Sequence, residues 1–243
     1  MKGMISLISA GAPQSGVMEC IDVYKGITGI SFNDSYMTST EIKDVMRGEG
    51  MIPDILIAPA MDMEEFGSVG LLDVTSFARV GNVDVGVVVR GDAELPKLGS
   101  EDALREAILV ADRVLYNAAT SGKYIAKMIK RLGIAEDVSD KTELFPSALQ
   151  LMKRIGRGNG REIGFGQIPA IRRFSGYGVV VVGPLPQELC NTTTYVAAIT
   201  SLEASDDVKG FLEFLEMPTA QRILNAAGIV KVRLTSRVRC SPW

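Results

Sequence analysis

Short apolar runs that break at clusters of Gly, Ala, Ser and Thr, then resume at helical spacing, recur along this chain and restrict it to a layered α/β fold. Three breaks stand out: Ala10-Gly11-Ala12-Pro13-Gln14-Ser15-Gly16, Tyr36-Met37-Thr38-Ser39-Thr40 and Ala119-Thr120-Ser121-Gly122. Small and hydroxyl residues at a helix start leave backbone N–H groups open and set side-chain donors beside them, which allows an anion to be held without full positive charge. The chain contains no histidine. A Ser-His-Asp triad, an imidazole base and any His-ligated metal are therefore excluded, and recognition is favoured over catalysis.

The 243 residues suffice for one large domain or two small ones with a real core. A net charge of -3 argues against nucleic acid or an anionic membrane surface as the main partner. No stretch of apolar residues is long enough for direct membrane insertion. Cys20, Cys190 and Cys240 form no C-x-x-C pair and are odd in number, so neither a zinc site nor a disulfide framework is signalled, and unpaired thiols favour a reducing compartment. Lys2 followed by Met4–Ala10 and Ala10-Gly11-Ala12 imitates a secretory signal, but the same residues make a good first strand. The expected location is cytoplasmic if the sequence is complete as given and periplasmic if a leader has been removed.

Strands are expected at Ile5–Ser9, Gly29–Phe32, Asp54–Ala60, Val83–Val89, Val114–Tyr116, Glu162–Phe165, Val179–Val182 and Thr193–Ile199. Helical spacing marks Val17, Ile21 and Tyr24, then Ile42, Val45 and Met46, the span Glu101–Val110, the amphipathic span Ser121–Leu132, Ser147–Ile155 and a last region from Val208 to Ala227. The alternation implies a mostly parallel sheet in two similar halves. Lys231–Trp243 reads as a tail.

Cofactor and metal motifs fail on inspection, and none of either is expected. Thr120-Ser121-Gly122-Lys123 lacks the first phosphate-loop glycine, replaced by Asn117, and has Tyr124 where Ser or Thr is required. The glycines at 156, 158 and 160 follow a helix and precede a strand, the reverse of a dinucleotide fingerprint. Lys153, Arg154, Arg157, Arg161, Arg172 and Arg173 read either as a solvated basic face or as a clamp for a polyanion. Asp62, Glu64 and Glu65 fall early in a helix, where acids favour the dipole.

Ile8-Ser9-Ala10-Gly11-Ala12, Pro53-Asp54-Ile55-Leu56-Ile57, Thr120-Ser121-Gly122 with the helix to Ile134, and Gly183-Pro184-Leu185-Pro186 before Tyr195 together resemble the molybdate-type solute-binding proteins of ABC transporters. These are members of the type 2 periplasmic binding protein superfamily, and the resemblance runs from Leu7 to about Val230. It implies a two-lobed α/β fold, each lobe a mostly parallel sheet flanked by helices. Lobe 1 would comprise residues 1–86, lobe 2 residues 87–192, and 193–243 would return to lobe 1 and end in the tail. It also implies a monomer, hinge closure on a small anionic ligand between lobes, and an ABC transporter membrane subunit as partner.

Ala12, Ser15, Thr38, Ser39, Thr120, Ser121 and Gln167 are the expected ligand-binding residues, with no catalytic residue assigned. Ser39 and Ser121 carry over from the family's second and third loops. The first-loop serine of molybdate binders is replaced at Ala12 or its neighbours, and the late tyrosine falls at Gln167, so a small organic carboxylate competes with molybdate as the ligand. Two other readings stay open. One is an isomerase of a small unsaturated polycarboxylate, of the aconitate isomerase type, with Lys123 or Tyr36 as the base. The other is a cytoplasmic ligand sensor without chemistry.

Overall fold

The computed structural model describes residues 3–49, 51–118, 120–200 and 203–231, with the side chains of residues 49 and 120 outside the description. The tail expected beyond Lys231 also lies outside it. The chain divides into two compact units, with boundaries between Val83 and Asp84 and between Thr192 and Thr193.

The first unit holds β1 (Met4–Ala10), α1 (Gln14–Thr28), β2 (Ser31–Met37), α2 (Ser39–Asp44), β3 (Ile55–Pro59) and α3 (Ala60–Ser68). After the second unit the chain returns on β9 (Thr192–Ile199), followed by α8 (Asp206–Glu216) and α9 (Pro218–Ala227). The strand order is β2-β1-β3-β9, with β1 parallel to β2 and β3 and β9 antiparallel to β3. Ile55, Leu56, Ile57 and Ala58 are all fully buried, as an unbroken apolar run demands when both sheet faces are covered. A cluster of Tyr24, Phe32, Phe211 and Phe214 closes the core against α8, with Phe32 and Phe211 ring centroids 4.8 Å apart.

Two sequence expectations shift here. The second strand is not Gly29–Phe32 but Ser31–Met37, and it carries Asn33, Asp34 and Ser35. It lies at the edge of the sheet, where polar residues meet water, so its pattern lacks the apolar run that marks β3. The last helical region is two helices, because Pro218 supplies no N–H to continue α8 and instead opens α9.

The second unit holds β4 (Ala78–Arg90, which begins in the first unit), α4 (Glu101–Val110), β5 (Arg113–Asn117), α5 (Thr120–Arg131), β6 (Thr142–Phe145), α6 (Ala148–Gly156), β7 (Glu162–Gln167), α7 (Ile168–Arg173) and β8 (Val179–Pro184). β5 runs parallel to β6 and β7, while β4 is antiparallel to β7 and β8. Side chains alternate across the sheet and divide two cores. Val85, Val87, Val114 and Phe165 face Leu104 and Ile108 of α4 and Ile125, Met128 and Ile129 of α5. Val88 and Leu115 face Leu151, Met152 and Ile155 of α6 and Ile171 of α7.

Cys190 is disulfide-bonded, which corrects the expectation of unpaired thiols. An odd count leaves room for one bridge beside one buried thiol, and spacing alone does not reveal which cysteines the fold brings together. Cys20 is free: it is fully buried in α1, and burial pushes its thiol up to about 12.

Candidate functional site

In the first unit, β1 and β2 end side by side, Ala10 opposite Met37, and the Gly11 N–H donates to the Met37 carbonyl at 3.0 Å. β3 is parallel to β1 and ends at Pro59. The starts of α1, α2 and α3 therefore lie along one edge of one sheet, at the carboxyl ends of its parallel strands, where α/β sheets commonly place ligands.

These three helix starts differ in what their own side chains supply. α1 follows Pro13, and no side chain caps it. α3 follows Pro59 and is likewise without a side-chain cap. α2 is closed by a capping box: Glu41 N–H donates to the Thr38 hydroxyl at 3.3 Å, while the Thr38 N–H and hydroxyl both donate to Glu41 Oε2, at 2.7 and 2.8 Å. The backbone and side-chain bonds from Thr38 hold the Glu41 carboxyl below its ordinary range. Thr38 thus spends its hydroxyl proton inside the protein, on a carboxylate that sits where an anion would be drawn.

Ala12 is half-buried and packs on the core of the first unit. Ser15 and Ser39 are half-buried, and their hydroxyls make no hydrogen bond among the described residues. Ser9, in the strand feeding the first loop, is fully buried and donates to the Ala10 carbonyl at 3.0 Å, so it faces inward.

In the second unit, Tyr116 of β5 pairs with Phe165 of β7, so the two parallel strands end together and bring Ser121 and Gln167 to one edge. The Ser121 hydroxyl donates to Asn117 Oδ1 at 3.3 Å. Helix α5 starts close against the strand before it: a Cβ on Gly122 would meet the Asn117 carbonyl oxygen, so only glycine fits there. Gln167 precedes α7, is half-buried and makes no cap bond to that helix. The Thr120 side chain lies outside the described residues.

Sequence reasoning placed Glu41 in the first turn of α2 as an acid that favours the dipole but missed its bond to Thr38, and it missed the role of Asn117 altogether. Glu41 was readable, since Thr38-Ser39-Thr40-Glu41 is the T-x-x-E capping-box pattern. Asn117 carried no such signal, because its role depends on the turn that folds Ser121 back over the end of β5.

Several of the other charged groups have structural partners. Lys43 of α2 bridges Asp62 and Glu65 of α3 at 2.9 and 3.1 Å, and these bonds raise its pKa, Asp62 first. Arg154 meets Glu143 and Glu162 at 3.5 and 3.3 Å, and the Arg161 guanidinium meets Asp112 at 3.2 Å. Lys153 lies over the Tyr177 ring and Arg173 over Phe174. Lys123 is exposed on α5.

Residues 5–230 match the family model for bacterial extracellular solute-binding protein. A search of curated protein sequences finds no relative. Among solved structures, the substrate binding domain of a putative molybdenum ABC transporter from Clostridium difficile aligns with a TM-score of 0.76 at 17% identity, covering 96% of this chain and 100% of that one. The periplasmic molybdate-binding protein of Azotobacter vinelandii aligns with a TM-score of 0.71 at 15% identity, covering 94% and 100%. The spermidine/putrescine substrate-binding protein PotD of Streptococcus pneumoniae gives 0.67 at 11%, covering 93% and 82%. At these identities the structures establish a shared fold and leave the ligand open.

Proposed function

Because the chain belongs to the bacterial extracellular solute-binding protein family, we propose that it captures a small anion, with the loops at the carboxyl ends of its parallel strands as the donors. The observation that carries this reading is the row of three helix starts on one edge of the first unit, with α1 lacking a side-chain cap and Ser15 and Ser39 holding unspent hydroxyls beside it. Ser121 and Gln167 supply a second set from the second unit. Membership of the family carries a small-ligand role and an ABC transporter as partner, and an extracellular place of work. The Cys190 disulfide supports an oxidising compartment.

The ligand class we favour is a small organic carboxylate over tetrahedral molybdate. Ala12 offers no hydroxyl, Gln167 brings an amide with both donor and acceptor, and the Glu41 carboxylate opposes a second negative charge near α2. An amide that donates to one carboxylate oxygen and accepts from a hydroxyl or acid proton suits a hydroxy- or keto-acid.

A thermal-shift series of molybdate, tungstate, sulfate, phosphate and common mono-, di- and tricarboxylates tests the assignment, since a ligand bound only by the folded state raises the melting point. With the best ligand, Ser15→Ala and Ser39→Ala each weaken binding about three- to tenfold, the loss of one neutral hydrogen bond. Unchanged affinity in the double variant removes the first unit from the site. Incubation with trans-aconitate should return it unaltered, and formation of the cis isomer replaces capture with isomerisation.

A further inference from the structure

The loop between α6 and β7 carries Asn159-Gly160, and of the six asparagines in the chain only Asn159 is followed by glycine. Without a Cβ on the next residue, the backbone nitrogen of Gly160 can approach the side-chain carbonyl carbon of Asn159 with little obstruction. The other five asparagines each precede a residue with a side chain.

Regular structure blocks such an approach by fixing the backbone and engaging the N–H. Helix α6 ends at Gly156 and β7 begins at Glu162, so the pair lies outside both. Asn159 is exposed, and neither Asn159 nor Gly160 makes a hydrogen bond among the described residues. Neither has a positive φ, so the pair is not held in the primed turn that Asn-Gly adopts in hairpins. The Gly160 nitrogen and the Asn159 carboxamide are both unengaged.

The residues on either side are held. The Gly158 carbonyl accepts from Arg90 Nη1, and the Arg161 N–H donates to Asp112 Oδ2 at 2.8 Å. The Arg161 guanidinium adds a bond to Asp112 Oδ1 at 3.2 Å, and the Asp112 N–H donates to the Arg161 carbonyl at 3.0 Å. Asp112 precedes β5 and Arg161 precedes β7, so this clamp joins the entries of two paired strands.

We infer that Asn159-Gly160 is a site of spontaneous deamidation, and that its isoaspartyl product loosens the Arg161–Asp112 clamp. The Gly160 nitrogen gives its proton to hydroxide and bonds to Asn159 Cγ, while the Cγ–Nδ2 bond breaks and ammonia leaves, closing a succinimide. Water then opens the ring at either carbonyl carbon. Attack at Cγ returns an ordinary main chain with aspartate at position 159, whereas attack at the main-chain carbon leaves isoaspartate, with the chain running through the former side chain. A water is consumed, an ammonia is released, and nothing is oxidised. The added main-chain carbon falls between the Gly158 and Arg161 anchors, whose spacing it changes. The inference uses none of the residues proposed to hold the anion and does not depend on that reading.

Ageing the full chain in warm, mildly alkaline buffer and mapping its peptides by mass spectrometry tests the site. Asn159 should convert before any other asparagine, with isoaspartate read as methyl acceptance from S-adenosylmethionine in the presence of an isoaspartyl methyltransferase. Asn159→Gln should remove that signal, since its longer side chain closes the larger ring far less readily. A synthetic peptide spanning residues 155–165 gives the unprotected rate, and the folded chain should match it. An Asn159 that stays amide, or that converts far more slowly in the folded chain than in the peptide, overturns the site. The melting point should fall in proportion to the isoaspartate formed, while fresh Asn159→Asp, with the same charge on an ordinary main chain, melts as the wild type does. A melting point that does not follow the isoaspartate, or that falls equally in Asn159→Asp, overturns the link to the clamp.

Discussion

Single residues control the geometry of this protein where backbone meets backbone or where a carboxylate meets an open N–H. Gly122 sits against the carbonyl at the end of β5, and Gly122→Ala is expected to destabilise the fold by about 1–3 kcal/mol through overpacking, measured as a shift in the urea midpoint. Its glycine was visible in sequence as part of a loop, but the reason for it is a tertiary contact. Glu41 makes a pH prediction. Its folded-state pKa lies below the unfolded value, so its contribution is present above the unfolded pKa and is lost as pH falls through the folded one. The stability gap between the wild type and Glu41→Gln should therefore be widest at neutral pH and close on acidification below the ordinary carboxylate range. A gap that stays constant in acid urea titrations, or a Glu41 side-chain carboxyl resonance titrating at the unperturbed pKa, rejects the capping box as its cause.

Elements were legible where their chemistry is local. Helix α4 coincides with the span read from periodicity, Glu101–Val110, because Ser100 caps it and two acids fill its first turn. Helix α8 has the same kind of front cap, Ser205, yet the sequence reading began it at Val208 and ran it on through Pro218. Ser205→Ala should cost about 1 kcal/mol of stability by loss of the bond to the Val208 N–H, and calorimetry or urea unfolding reads it directly. Elements at edges were not legible. β2 is polar enough to hide inside a loop pattern, and β6, whose four residues are only half-buried or exposed, gave no strand signal at all. Both rely on β1 or β5 for pairing, which periodicity in a single segment does not report. Helix α7 is short and was missed for a similar reason, since its buried Ile168 and Ile171 face a sheet that only the fold supplies.

At the scale of the whole molecule, the two units have separate apolar cores and, among the described residues, pass the chain between them through β4 and β9, so each contributes its own row of helix starts. A ligand that binds the folded state alone should stabilise it by about 2.7 kcal/mol at one hundred times its dissociation constant. Urea titrations with and without the best anion measure this, and an unchanged midpoint at saturating ligand contradicts specific capture. The alternation of apolar runs, small-residue breaks and amphipathic helices determined by itself the α/β class, most of the helices and the position of the hydroxyl-rich loops, because each follows from neighbours within a few residues. Only the tertiary structure decided which hydroxyls remain open. Thr38 turned to Glu41, Ser121 to Asn117, and Arg154 and Arg161 to carboxylates on a strand and a loop, while Ser15 and Ser39 kept theirs. Such choices depend on which groups the fold brings within hydrogen-bond reach, a distance in space that no spacing along the chain encodes.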